Sequence, residues 1–184
     1  MKNVGPDSLV GDSTKNALHW PDLIYAQFRR VGIRQVGYVP DAGHSRLIEL
    51  IVSDPHIHDV VLTTEEEGVG LVAGAALGGQ RAAILMQSSG VGNCVNMLSL
   101  ISGGRFPFLA LISMRGDFGE GNPWQFPMGK ATQAVLEAMR VTCLRAESPE
   151  DALAAVRAGV TMAFQGGEAV AVLFTQKLLG AKKF

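Results

Sequence analysis

Cysteine is scarce in these 184 residues: Cys94 and Cys143 stand far apart, without the paired spacing of a metal site. Neither a disulfide framework nor a thiolate cluster is expected, and a reducing compartment fits. An excess of one charge is missing too. Sixteen basic and 17 acidic residues are mixed along the chain, for a net charge of −1. No basic stripe is left to meet nucleic acid or anionic lipid. No segment reaches the roughly 18 apolar residues needed to cross a bilayer, and the opening "MKNVGPDSLVGDSTKN" has no apolar core like that of a signal peptide. A soluble, cytoplasmic protein is the expectation. A phosphate-binding G-x-x-x-x-G-K-[ST] run is absent. "GVGLVA" at 68–73 formally satisfies G-x-G-x-x-A, but three carboxylates precede it and would repel a pyrophosphate. "GVGNCV" at 90–95 has valine where the third glycine belongs. No Ser/His/Asp order and no metal-ligand spacing is present, so no metal site is assigned to this chain.

What is there is apolar and periodic. With 47% hydrophobic residues the chain can build one domain with a substantial core, read as 20–184 after an arm at 1–19 rich in Gly, Asp, Ser and Asn. Helical periods alternate with short β-branched runs. Helices are predicted near 21–31, 43–53, 65–79, 91–102, 128–139 and 149–165, and strands at 34–39, 59–63, 82–87, 108–113, 141–146 and 169–174. Several strands are apolar on both faces, as central parallel strands must be. The fold class is therefore α/β, a doubly wound, mostly parallel six-stranded sheet with helices on both faces.

Ligands of such sheets gather beyond the carboxyl ends of the strands. The segments there read "PDAGHS" at 40–45, "TEEEG" at 64–68, "SSGVGN" at 88–93 and "MRGDFGEGNPWQFPMG" at 114–129. The last is long and carries Trp124 and Phe126 without core periodicity, which favours a loop that docks on something. Of Glu65, Glu66 and Glu67, two are explained by the favourable field of a helix N-terminus. The third, at the mouth of an uncharged helix, is open to partial desolvation and to sharing a proton with a basic nitrogen. Gly70, Gly74 and Gly78 recur every four residues as a smooth stripe, and the helix is expected to be buried all round. His56 and His58 read as a solvated turn, whereas His44 sits where an imidazole could orient a carboxylate substrate. Ser88 and Ser89 look like pocket hydrogen-bonding groups rather than nucleophiles.

Four stretches, "VGYVPDAGHSRLIELI", "TEEEGVGLVAGAAL", "LMQSSGVGNCVNMLSL" and "LISMRGDFGEGNPWQFPMGKAT", together resemble the alpha subunits of sulfopyruvate decarboxylase and the matching half of phosphonopyruvate decarboxylase. Both belong to the thiamine-diphosphate enzymes, and the resemblance spans about residues 20–180. It implies a pyrimidine-binding domain of the thiamine-diphosphate-binding fold. The family's glutamate stands nine residues before the glycine of an A/D-G-Y-A-like step; here that step is "AGAA" around Gly74, with alanine at 75 for the common tyrosine, which selects Glu65 with Glu66 in reserve. Family chemistry implies that this carboxyl shares its proton with N1′ of the aminopyrimidine, favouring the imino form that deprotonates the thiazolium carbon, which then attacks a small 2-oxo acid. Carbon dioxide leaves, and sulfopyruvate would yield sulfoacetaldehyde. The resemblance further places Gly90 and Asn93 against the cofactor. Asp41, His44, Gln87, Ser88 and Arg115 would line the substrate cavity, with Arg115 preferred to Lys130 for a sulfonate or phosphonate. The G-D-G stretch that holds Mg2+ and the diphosphate is absent. The implied partner is a beta subunit that carries it, in a hetero-oligomer built on alpha–alpha or alpha–beta dimers. The competing expectation is a non-catalytic binding or scaffold domain of the same fold.

Overall fold

The computed structural model describes residues 19–181. The arm expected at 1–19 therefore lies outside the described residues but for His19. The elements run α1 (Trp20–Val31), β1 (Ile33–Tyr38), α2 (Ser45–Val52), β2 (His58–Val61), α3 (Glu65–Leu77), β3 (Arg81–Gln87), α4 (Ser88–Cys94) and α5 (Leu98–Gly104). They continue through β4 (Phe108–Ser113), α6 (Phe126–Ala138), β5 (Thr142–Ala146), α7 (Pro149–Phe164), β6 (Ala169–Phe174) and α8 (Gln176–Leu179). Single 3-10 turns at Ala42–His44 and Pro123–Gln125 precede α2 and α6.

All six strands are parallel, in the order β2-β1-β3-β4-β6-β5. Strand periodicity sends alternate side chains of the central strands into separate cores. Leu109 and Leu111 of β4, with Ala83 and Leu85 of β3, join Ile24 and Phe28 of α1, Leu47 and Ile51 of α2 and Val156 of α7. Phe108, Ala110 and Ile112, with Ile84 and Met86, join Val69 and Val72 of α3, Val91 of α4, Ile101 of α5 and Leu136 of α6. Every residue of β4 is buried. Its unbroken apolar run is thus the signature of a strand covered on both sides.

The switch in strand order lies between β1 and β3. The chain leaves β1 toward the layer of α2 and leaves β3 toward the layer of α4, so a crevice opens between their carboxyl ends. One predicted element divides: the helix read over 91–102 is two short helices, α4 and α5, separated at 95–97. Gly90, Gly92, Asn93 and Asn96 all have low helix propensity, which accounts for the break. Helix α3 is also not buried all round. Its sheet side is covered, but a side chain added at Gly70 or Gly74 would meet nothing within 4 Å, and Leu77 is exposed.

Candidate functional site

Of the three adjacent glutamates, only the first turns inward: Glu65 is 8% exposed, whereas Glu66 and Glu67 face solvent. The extended backbone of Thr64 feeds α3 beside β3, and Glu67 caps the entrance by accepting the N–H of Thr63 at 2.8 Å. Glu65 reaches across to α4. Asn93 Nδ2 donates to its Oε2 at 2.9 Å, and a Cβ added at Gly90 would overlap the carboxyl carbon and Oε1. The carboxyl group thus lies flat on the Gly90 backbone with one oxygen held. Among the described residues Asn93 is the one side-chain donor to it. Cys94, one residue beyond, is buried near Glu65 and Glu66, and burial followed by their negative field pushes its thiol up to about 12. It is a packing residue.

A second cluster ties the ends of three strands together. Asp41, after β1, accepts Ser113 Oγ at 2.6 Å and the Gly43 N–H at 2.9 Å through Oδ2, and Gln87 Nε2 at 3.1 Å through Oδ1. Burial alone would raise this carboxyl, but the bonds from Ser113, Gln87 and Gly43 outweigh it and hold it below the ordinary value of 3.8. Gln87 in turn accepts Ser89 Oγ at 2.9 Å. Ser113 is not among the expected site residues; it ends β4 in register with Gln87, one residue before the loop segment read at 114–129.

Three expected pocket residues are buried or already engaged, although Arg115 borders a small pocket of about 70 Å³ with Asp41 and Ser113. His44 is 1% exposed, edge-on to Phe174 with ring centroids 5.8 Å apart, and its Nε2 lies 3.3 Å from the Met86 carbonyl. Burial holds the imidazole below its ordinary 6.5, against the pull of Asp41, so it is neutral at pH 7. Its Nδ1 has no partner among the described residues. Ser88 is fully buried, and its Oγ accepts the Arg115 N–H at 3.0 Å, fastening the end of β3 to that of β4. Arg115 is not a free cation. Its guanidinium forks onto Glu120 at 2.5 and 2.8 Å, with the Glu120 side chain fully buried.

That ion pair organises the long loop. Arg115 first, with the Asn122 N–H and Gln176 helping against burial, holds the Glu120 carboxyl at about 2. Gln176 of α8 accepts the N–H groups of Asp117 and Phe118 at 3.1 and 3.2 Å and donates to Glu120 at 3.0 Å. No sequence motif marks Gln176, and Glu120 lies within the long loop stretch without a role assigned to it. The braced loop presents Trp124, 84% exposed, over an open cleft of about 590 Å³ lined by Ser89, Pro123, Trp124, Gln125, Pro127 and Met128. Met128 also borders Gly92. Ser89, Gly92 and Asn93 share one side of α4, so the cleft and the Glu65 carboxyl lie along the same helix. A second opening, about 580 Å³, lies over Trp20, Leu23, Pro149 and Leu153 and shares no residue with these clusters.

No family model matches the chain. Over 153 residues it is 37% identical to the sulfopyruvate decarboxylase subunit alpha of Methanothermobacter thermautotrophicus, covering 83% of this chain and 93% of that relative. The protein of the same name from Methanocaldococcus jannaschii is 36% identical over 152 residues, covering 82% and 90%. Phosphonopyruvate decarboxylase of Streptomyces viridochromogenes is 35% identical over 118 residues, which are 63% of this chain but 30% of that longer one. A solved 2-oxoglutarate:ferredoxin oxidoreductase from Magnetococcus marinus shares the fold, with a TM-score of 0.72 at 16% identity over 89% of this chain and 30% of that one.

Proposed function

Because the chain belongs to the family of sulfopyruvate decarboxylase alpha subunits, we propose that it is the pyrimidine-binding half of a two-chain, thiamine-diphosphate-dependent decarboxylase that converts sulfopyruvate to sulfoacetaldehyde and carbon dioxide. The observation that carries this reading is the Glu65 carboxyl, shielded by α4, pressed on Gly90 and held through one oxygen by Asn93. Such a group fits the aminopyrimidine. It offers a single acceptor to a single protonated ring nitrogen, and its own orientation is fixed before the ligand arrives. The cofactor, when bound, supplies the carbon nucleophile and the electron sink for decarboxylation.

The residues of this chain then bind and orient. Glu65 holds a proton between its carboxyl and the ring nitrogen, Gly90 leaves room for that approach, and Asn93 keeps the carboxyl from turning. Asp41 and Gln87 build the floor beside it. The diphosphate and Mg2+ are assigned to a beta subunit with a G-D-G stretch, so the working site lies between chains of a hetero-oligomer. With Arg115 committed to Glu120, the anionic tail of the substrate is assigned to a cation of that partner.

The test is reconstitution with such a beta subunit and assay of carbon dioxide release from sulfopyruvate, phosphonopyruvate and pyruvate. Preference for sulfopyruvate is the expected result. Preference for phosphonopyruvate would support the second reading, which rests on the 35% identity to that decarboxylase. Release from none of the three, with the complex assembled and the cofactor bound, would leave the non-catalytic binding domain.

A further inference from the structure

Gln176, the first residue of α8, is 1% exposed, and both ends of its amide are engaged by the long loop. Its Oε1 accepts the Asp117 and Phe118 N–H groups at 3.1 and 3.2 Å, its Nε2 donates to Glu120 Oε2 at 3.0 Å, and its backbone N–H donates to Asp117 Oδ1 at 3.2 Å. The amide cannot be turned round, because two N–H groups on one side require an oxygen and a carboxylate on the other requires an NH2. Among the described residues, the backbone of 116–119 makes no hydrogen bond to other backbone. One side chain from a distant helix therefore satisfies that segment.

The contacts run on to the cleft. Glu120 Oε1 accepts the Asn122 N–H at 3.0 Å, and Asn122 Oδ1 accepts the Trp124 N–H at 3.1 Å. Gln176, Glu120, Asn122 and Trp124 thus form one ladder from α8 to the exposed aromatic. The ends of the loop are closed on each other, since a Cβ added at Gly116 would overlap the Gln125 carbonyl and one at Gly129 the Arg115 carbonyl. What α8 sets is the tip between those ends.

The geometry points to Gln176 as the positioning residue of this loop: α8 straps the tip down through it, and release of that one side chain frees Trp124 from its place over the cleft. The inference does not need the decarboxylase reading. It makes the last helix a control on access to the cleft.

Gln176→Glu tests this with almost no change of shape. One oxygen of the new carboxyl still meets the Asp117 and Phe118 N–H groups, but the other faces Glu120 where an NH2 stood, and two carboxylates repel. Arg115 keeps Glu120 ionised, so a proton taken up by the pair goes to the introduced group and restores the donor. Of the other charged groups nearby, Arg145 is committed to Asp117 and Lys177 to Glu147, while Lys130 borders the outer pocket with Glu120 and Asp41 the inner one with Gln176. The like charge of Glu120 raises the introduced carboxyl above its ordinary value. The tip of the variant should therefore be loose at pH 7 and close as pH falls through that raised value, whereas wild type has an amide there and gains nothing.

Hydrogen exchange of the Asp117 and Phe118 amides and the NMR signal of the Trp124 amide are followed in the full chain as pH is lowered from 7, with the Leu111 amide of β4 as reference. One hydrogen bond lost corresponds to roughly a threefold to tenfold fall in protection. Gln176→Glu at pH 7 is expected to lose at least that much at both amides and to shift the Trp124 signal, with Leu111 unchanged and recovery on acidification. Wild-type protection at pH 7, or a loss that acid does not reverse, overturns the inference, as does a Trp124 signal that stays in place while the two amides open. Should this variant not fold, Gln176→Met, of similar volume but without the amide, decides: a tip as protected as in wild type refutes the role. Failure of both to fold would make Gln176 a requirement of the whole fold rather than of the loop, and would also refute it.

Discussion

At the scale of the residue, Glu65 and Gly90 compete for one volume. Any side chain at 90 would strike the Glu65 carboxyl group, so Gly90→Ala should cost about 1–3 kcal/mol of stability through overpacking. Glu65→Ala removes the atoms it would strike. The double variant should therefore recover most of that cost, and a double-mutant cycle by denaturant unfolding measures the coupling. Additive losses would show that the two do not touch. Glycines along α3 separate in the same way. A Cβ at Gly68 would overlap Ile84 Cδ1 in the core, while one at Gly74 meets nothing. In the chain by itself Gly68→Ala should destabilise by about 1–3 kcal/mol. Gly74→Ala should stabilise by up to about 1 kcal/mol through helix propensity. Melting curves of the two variants give the signs.

At the scale of the element, much was legible and the exceptions have identifiable causes. The unbroken apolar runs of β3, β4 and β6 announced strands covered on both faces, whereas position alone showed only that one of Glu65, Glu66 and Glu67 could turn inward, and the family resemblance was needed to select Glu65. Pattern does not report contacts between segments distant in sequence. The overlap of Gly90 with Glu65, the Ser88 clasp on Arg115 and the burial of His44 behind Phe174 are all of that kind. Arg115 illustrates the difference: a lone arginine beside a loop reads as a free cation, yet five residues on Glu120 folds back to neutralise it. The pair makes the loop sensitive to acid. Because the folded value for Glu120, about 2, lies below the ordinary 4.5, its contribution is fully present above pH 4.5 and is lost as pH falls through about 2. Glu120→Gln should lower stability at neutral pH and flatten the decline between those values. Unfolding followed over that range checks it, and a decline unchanged from wild type would place the acid sensitivity elsewhere.

At the scale of the whole molecule, the fold brings a shielded carboxyl and an exposed aromatic to one end of the sheet, while the sequence has no G-D-G stretch with which to hold a diphosphate. In the proposed function the chemistry therefore lies at a junction between chains, with Glu65 as this chain's contribution to it. The most direct measurement is the rate of hydrogen–deuterium exchange at the thiazolium C2 of thiamine diphosphate in the reconstituted complex, for wild type and Glu65→Gln, with cofactor binding followed alongside. A fall on the order of 10² to 10⁴ with the cofactor still bound is the predicted result. Exchange at the wild-type rate in the glutamine variant would contradict it.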